Sequence, residues 1–332
     1  MQRDLSFDYM KGFLIFLVVL GHCPAFLMNE EGFDIYADYI FVFCHSFHMP
    51  LFVFISGYFF SKKKKSSLKE LIPKQIKRLL YPQFAWNLIC LALIILQWDK
   101  FSYLLIGDSI HETVKCIYHF FTNQWYLWCI FICSMIVVLT YKIRYPKLVL
   151  IILSLLMIVF LNYLPGVIFH NQQVGKQLLF FIGGMFFYDI KNHEEMMKKS
   201  FVISLIGYIC CWAFYLYKND NFGSLNIVPK VFWAIWGIGL FYNISKVAFK
   251  FKIFNKILIG WGSASLGIYI IHTVINRFIV QGNIGLKINT GYIYLDYILC
   301  VIYSVGLAYV CQFVTQLIRK KQFLREYLLG EK

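Results

Sequence analysis

Residues 11–28 read KGFLIFLVVLGHCPAFLM, and this stretch decides the fold. It is apolar throughout except for the opening lysine and His22. A run of about 18 apolar residues is long enough to cross the hydrocarbon core of a bilayer. Because the run continues through a histidine and has no small-residue cleavage site, we expect it to be a retained first helix and not a signal peptide.

Comparable apolar runs recur along the chain. Of its 332 residues, 60% are hydrophobic and 15% are charged, whereas soluble domains carry about 25% charged residues. These features predict an all-α integral membrane protein, a bundle of about ten transmembrane helices. The predicted spans are 11–28, 40–60, 79–98, 125–141, 147–164, 175–190, 201–217, 229–249, 257–280 and 292–318.

One transmembrane domain is expected to use the whole chain, 1–332, because no stretch resembles a separate soluble domain. Its core covers about 8–318, and 319–332 is a basic tail. The loop at 99–124 is the longest, and its segment 110–121 has the amphipathic pattern of a helix that lies along the membrane interface.

Lysine and arginine positions predict the orientation, since cytoplasmic loops are enriched in both. With ten spans, most of the 32 basic residues fall on one side, so both termini are predicted to be cytoplasmic. The exceptions are Lys100, Lys115, Lys176, Lys218, Lys230, Arg277 and Lys287. The net charge of +15 therefore reflects topology, and its scatter over loops argues against nucleic-acid binding.

Two loops have opposite charge. Lys62 to Lys65 form a basic run that either anchors the chain at anionic lipid or attracts a polyanionic cytosolic ligand such as coenzyme A. The first outer loop carries Glu30, Glu31, Asp34 and Asp38 without a basic residue. It is either a solvated acidic loop or a surface suited to a neutral polyol.

Histidines within the spans are the strongest candidates for chemistry, because ionisable groups in a membrane are costly and tend to be functional. They are His22, His45, His48 and His272. Helical rise places His22 about 16 Å and His272 about 22 Å above the inner edge, and His48 about 12 Å below the outer edge. They are therefore expected to share a layer. A helix-packing role is the alternative.

A buried imidazole is expected to be neutral, because desolvation disfavours its charged form. It can then take a proton from an attacking hydroxyl, which is the work of a general base in acyl transfer. Cys23 projects about 100° away from His22 on a helix, so a cysteine–histidine nucleophile pair is not expected. The ten cysteines show neither metal-ligand spacing nor a disulfide pattern, and no metal is predicted.

Other polar and aromatic residues have two interpretations each. Arg78 can hold a phosphate with its guanidinium or extend to the interface. Ser56 and Gly57 either allow a ligand to approach or simply pack helices. Trp125 is part of an aromatic belt or a platform for a sugar ring.

Four stretches resemble membrane-bound acyltransferase family 3, which includes bacterial O-acetyltransferases of surface polysaccharides. The first is RDLSFDYMKG at 3–12, followed by His22, and the second is FHMPLFVFISGY at 47–58. The third is WYL at 125–127, and the fourth is SLGIYIIH at 265–272. They occur in order over nearly the whole chain. One departure is QIKR at 75–78, where the family often has Arg-x-x-Arg.

The resemblance implies ten core helices, a cytosolic acyl-CoA donor and a carbohydrate acceptor. It implies that His22 is the catalytic base, and that Lys11 and Arg78 serve the donor together with Lys74 or Lys77. The acceptor-side residues are then His48, Ser56, Trp125, Tyr269 and His272.

The sequence therefore predicts a multi-pass O-acyltransferase of the inner (plasma) membrane. It would transfer an acyl group, most simply acetyl, to a hydroxyl of a cell-envelope or exported polysaccharide or its lipid-linked precursor. A transporter or flippase of lipid-linked sugars is the main alternative, although no inverted repeat is evident. A non-catalytic membrane sensor is the third, and it would not need buried histidines.

Overall fold

The computed structural model describes residues 4–28, 33–163, 171–218 and 221–331, and these residues form helices joined by turns and loops, without a strand. Arg3, Glu30, Glu31 and Lys332 lie outside these ranges. Within them the sixteen α-helices are α1 (Leu5–Leu27), α2 (Tyr39–Phe60), α3 (Leu68–Gln75), α4 (Tyr81–Leu96), α5 (Trp98–Phe101), α6 (Ile110–Thr122), α7 (Trp125–Thr140), α8 (Pro146–Tyr163), α9 (Asn171–Asp189), α10 (His193–Lys199), α11 (Phe201–Lys218), α12 (Ile227–Lys250), α13 (Asn255–Ser263), α14 (Ser265–Val274), α15 (Ile293–Arg319) and α16 (Gln322–Leu329).

Five short segments have other helical hydrogen bonding. The 3₁₀ turns are Ile35–Ala37, Ser61–Lys63 and Ser102–Leu104, and the π-helical segments are Ile76–Leu80 and Ile275–Ile284. A π-helix is rare, and it often occurs at a functional site. Each π segment contains an arginine, which is Arg78 in the first and Arg277 in the second.

Several helices are long and apolar enough to cross a membrane, which confirms a multi-pass membrane protein. In the described ranges there are six such stretches, or eight if each of two bent helix pairs is one span. They are Leu5–Leu27, Tyr39–Lys63, Leu68–Leu96, Phe201–Lys218, Ile227–Lys250 and Ile293–Arg319. The count of ten and the cytoplasmic termini stay predictions.

The structure differs from the sequence-based expectation at three places. The span predicted at 257–280 is broken between α13 and α14, which meet at 78°. The break follows Gly260, Gly262 and Ser263, and glycine–serine pairs are a common cause of kinks. The expected amphipathic segment forms α6, which meets α7 at 73°. The basic tail contains a further helix, α16.

The helices group into two compact units. The first unit comprises the described parts of Met1–Ile55 and Ile190–Gln316, and the second those of Ser56–Asp189 and Leu317–Lys332. The single-domain organisation of 1–332 stays a prediction.

In the first unit, α1 packs against α13 with almost no space between the backbones. A Cβ atom at Gly12 would overlap the carbonyl of Leu258. Glycine is therefore required there, in the way that small residues allow membrane helices to approach closely. α12 flanks α1 and α2 through stacked rings, since Phe241 lies 3.8 Å from Phe47 and 6.2 Å from Phe13 between centroids. These contacts fix α1, the helix that carries His22.

In the second unit, the C-terminal helix α16 packs on α4. The indole of Trp86 donates a hydrogen bond of 2.9 Å to the carbonyl of Leu328. The rings of Tyr81 and Tyr327 stack, with centroids 5.4 Å apart. Gly330 has a positive φ of 62°, and a Cβ atom there would overlap the Arg78 backbone. The end of the chain therefore rests on the π segment that carries Arg78.

Candidate active site

Four imidazoles from three helices gather in the first unit. α1 carries His22, α2 carries His45 and His48, and α14 carries His272. The ring centroid of His22 lies 5.5 Å from that of His272 and 5.8 Å from that of His45. The ring centroids of His45 and His48 lie 4.9 Å apart. These four rings form one cluster, which we name the imidazole cluster.

Three of these rings have a defined tautomer. In each, Nδ1 lies within hydrogen-bond distance of the carbonyl four residues earlier: His45 to Phe41 (2.9 Å), His48 to Cys44, and His272 to Ile268 (2.9 Å). A carbonyl only accepts, so Nδ1 carries the proton and Nε2 has a free lone pair. The cluster therefore presents hydrogen-bond acceptors to any group between its rings.

His22 differs from the other three rings. Like His45 it is partly exposed, whereas His48 and His272 are buried with 2% and 0% exposure. Among the described residues its ring nitrogens have no hydrogen-bond partner. It is therefore the imidazole that is most available to a substrate.

The π segment Ile275–Ile284 adds a cation and an amide beside the cluster. Arg277 is half-buried, and its positive charge acts on His22. Asn276 is fully buried, and its side-chain oxygen accepts a hydrogen bond from the hydroxyl of Tyr303 on α15. The segment follows α14 directly, so the helix that carries His272 also places both groups.

Two further residues predicted for the first unit lie near this site or on the same helix. The ring of Tyr269 lies 6.4 Å from that of His272 between centroids. Lys11 forms an ion pair of 2.7 Å with the buried carboxylate of Asp8. It precedes His22 on α1 by eleven residues, or about 16 Å of helical rise. Its positive charge is thus partly balanced within the protein.

The predicted donor-side cations of the second unit lie on and beside the π segment Ile76–Leu80. Lys74 and Arg78 are exposed, and the positive charges of both act on Lys63. Lys77 lies 3.6 Å from Glu326 of α16. Clustered cations attract polyanions in general, and Arg78 and Lys74 have no acidic partner among the described residues.

Ser56 and Trp125 also lie in the second unit. The hydroxyl of Ser56 is 2.9 Å from that of Tyr126, which adjoins Trp125 at the start of α7. The charge of Arg78 acts on Tyr126. The contact of α7 with Ser56 is thus through the tyrosine, and Trp125 is half-buried beside it.

Sequence reasoning gave no role to three of these side chains. From the sequence, His45 is an intramembrane histidine, and its contact with His22 depends on how α1 and α2 pack. Arg277 is predicted only as an outer-side basic residue, although its position five residues after His272 is a usable signal. Tyr126 lies within the motif that begins with Trp125, and the sequence assigns a role only to the tryptophan.

The described residues contain no group of three or more histidine, cysteine, aspartate or glutamate side chains arranged to hold a metal ion.

The chain resembles known proteins in sequence. It is 30% identical over 133 residues to the nodulation protein NolL of Mesorhizobium japonicum, and 30% identical over 132 residues to that of Sinorhizobium fredii. These matches cover 40% and 39% of this chain, and the chain spans only 34% of the length of each relative. No solved structure matches.

Family membership follows from a longer match. Residues 4–313 match the family described as an acyltransferase domain, acyltransferase family 3. That range contains every helix that contributes to the imidazole cluster and the π segment that carries Arg78. This multi-pass membrane protein therefore belongs to acyltransferase family 3.

Proposed function

We propose that this protein is an O-acyltransferase of the inner (plasma) membrane. It transfers an acyl group, most simply acetyl, from cytosolic acyl-CoA to a hydroxyl of a cell-envelope or exported polysaccharide or its lipid-linked precursor. The observation that carries this proposal is the imidazole cluster, in which His22 has no hydrogen-bond partner among the described residues and His272 lies 5.5 Å away.

His22 acts as the base. The oxygen of the acceptor hydroxyl attacks the thioester carbonyl carbon while a ring nitrogen of His22 takes the hydroxyl proton. The tetrahedral intermediate then collapses, the C–S bond breaks, and the coenzyme A thiolate receives that proton. Negative charge develops on the carbonyl oxygen during this step, and Arg277 supplies the nearby positive charge that stabilises it.

The donor is held by cations on the cytosolic side. Coenzyme A carries phosphates, and Arg78 is exposed and free of an acidic partner in the described part of the chain. A guanidinium forms paired hydrogen bonds with a phosphate, which a lysine cannot do. Lys74 lies one helical turn before Arg78, and Lys11 is a further cation on the helix of His22.

The acceptor is a neutral polyol in this proposal. Because Nε2 of His45, His48 and His272 has a free lone pair, the cluster accepts hydrogen bonds, and hydroxyl groups are the donors that match it. Tyr269 lies beside His272, where a ring face suits a sugar. Ser56 and Trp125 are proposed as further acceptor contacts.

The experiment uses the purified full-length protein in lipid vesicles with acetyl-CoA labelled in the acetyl group. The acceptor is the envelope glycan fraction of a strain that lacks the gene. Transfer of label to the glycan, with release of one coenzyme A thiol for each label, is the expected result. A transporter would move the glycan without releasing thiol, and that result would overturn the proposal.

A further inference from the structure

Two polar atoms near the imidazole cluster are completely buried and have no partner. They are Nε2 of His272, which is an acceptor, and Nδ2 of Asn276, which is a donor. Both side chains are 0% exposed, and each atom lacks a hydrogen bond to any described residue. A buried polar atom without a partner costs about 1–3 kcal/mol, so such a pair at one place is unusual.

The orientation of both groups is fixed by their other hydrogen bonds. Nδ1 of His272 is committed to the carbonyl of Ile268 at 2.9 Å. The side-chain oxygen of Asn276 accepts from the hydroxyl of Tyr303, so its amide nitrogen points elsewhere. In this arrangement Asn276 therefore offers a donor and His272 offers an acceptor.

The spacing of the two residues brings them to one face. His272 and Asn276 are four residues apart where α14 continues into the π segment, and residues four apart are neighbours on a helix. A single hydroxyl oxygen between them would satisfy both, since a hydroxyl donates one hydrogen bond and accepts others. The ring of His22 lies 5.5 Å from that of His272, so a second hydroxyl of the same molecule can reach His22.

We propose that Asn276 and His272 form a subsite for one hydroxyl of the acceptor, adjacent to the hydroxyl that reacts at His22. This inference rests on the proposed acyltransferase function and deepens it. Asn276 contacts the acceptor directly, and Tyr303 is a positioning residue that acts through Asn276. The subsite selects polyols with two neighbouring hydroxyls, and it determines which of the two receives the acyl group.

The test measures acetyl transfer to the glycan fraction of the gene-deleted strain by wild-type protein and by Asn276→Ala. We expect the KM for the glycan to rise about tenfold to a hundredfold, the range for a lost hydrogen bond that leaves a buried partner unsatisfied. The KM for acetyl-CoA is expected to stay the same. NMR of the product is expected to show acetyl groups on more than one position, whereas wild type yields one.

Tyr303→Phe keeps the ring and removes only the hydroxyl that orients the amide. It is expected to raise the KM for the glycan by a smaller factor and to mix the acetyl positions partially. It also tests the subsite if Asn276→Ala does not accumulate in the membrane. Asn283→Ala is the matched control, because Asn283 lies in the same π segment and its amide bonds the Phe278 carbonyl at 2.8 Å instead.

The outcomes distinguish a failure of the proposed subsite from a failure of the proposed acyltransferase function. If wild type transfers acetyl and both variants keep its KM for the glycan and its single product position, the subsite is wrong. A fall in kcat alone, with those two readouts unchanged, also overturns it, because that is the signature of a structural role. If wild type neither cleaves the thioester nor labels the glycan, the proposed function itself fails.

Discussion

The imidazoles of His22 and His272 lie 5.5 Å apart between centroids, with their planes inclined by 32°. One comes from α1 near the N-terminus and the other from α14, and α13 joins these elements because its backbone packs directly on Gly12. The close approach of α1 and α13 thus holds two histidines that are far apart in sequence within one site.

Arg78→Ala is expected to weaken binding of the donor. A charge-assisted hydrogen bond contributes about 1.5–3 kcal/mol, so the KM for acetyl-CoA should rise roughly tenfold to a hundredfold. The effect of Arg78 should shrink as salt is added, because exposed charges are screened. Arg144→Ala is the control, since Arg144 is also exposed but stacks on Tyr145. Equal KM values for the two variants would remove Arg78 from the donor site.

Gly330→Ala is expected to lower the melting temperature in detergent and to raise the KM for acetyl-CoA. The new Cβ atom would meet the Arg78 backbone, and the positive φ adds strain of about 1–2 kcal/mol. Gly285→Ala is a matched control, because Gly285 has a φ of 66° with open space around it. It should show the strain alone and keep the KM. If both variants behave alike, α16 does not position Arg78.

Trp86→Phe tests how firmly α16 is held on α4. The variant keeps most of the ring and loses the hydrogen bond of 2.9 Å to the Leu328 carbonyl. We expect a loss of about 1 kcal/mol in unfolding free energy. Cleavage by a carboxypeptidase or by trypsin near the C-terminus should become faster in this variant. Unchanged proteolysis would mean that other contacts hold the helix.

Glu194→Gln is expected to change how stability depends on pH in the first unit. The hydrogen bond from the Lys246 ammonium holds the pKa of Glu194 below its ordinary value of 4.5. Because the folded pKa is depressed, the pair stabilises the fold above pH 4.5, and this contribution disappears as the pH falls through the folded pKa. Wild type should melt slightly higher than the variant at pH 6, and the difference should shrink as the pH falls below 4.5. The difference is small because Glu194 is largely exposed. A gap that grows towards low pH would contradict the assignment.

The membrane-spanning helices could be predicted from the sequence, because a sufficiently long apolar run in a membrane protein forms a helix. The breaks within helices and the structure of the C-terminal tail could not be predicted in the same way. Residues 257–280 are mostly apolar, and their division at 78° depends on how closely Gly262 packs against the backbone of α1. The tail at 319–332 contains many charges, and its helix forms because Tyr327 and Leu328 find partners on α4.

The histidines of the candidate site could be predicted from the sequence, but the residues that surround them could not. Helical rise was sufficient to place His22, His48 and His272 in one layer, because rise depends only on residue number. Which rings make contact depends on the rotation and packing of the helices. The contacts of His45, Asn276 and Tyr303 depend on helix rotation and packing. Neither property can be predicted from the pattern of residues in a single sequence.

The most direct test of the account compares His22→Ala with His193→Ala in labelled acetyl transfer to the glycan fraction, at saturating acetyl-CoA. His193 lies on α10, outside the imidazole cluster, and its ring bonds the Ile190 carbonyl at 2.8 Å. Loss of a general base lowers the rate by about a hundredfold to ten-thousandfold, so we expect that loss for His22→Ala, with normal membrane levels, and wild-type transfer for His193→Ala. Transfer at the wild-type rate by His22→Ala would contradict the account.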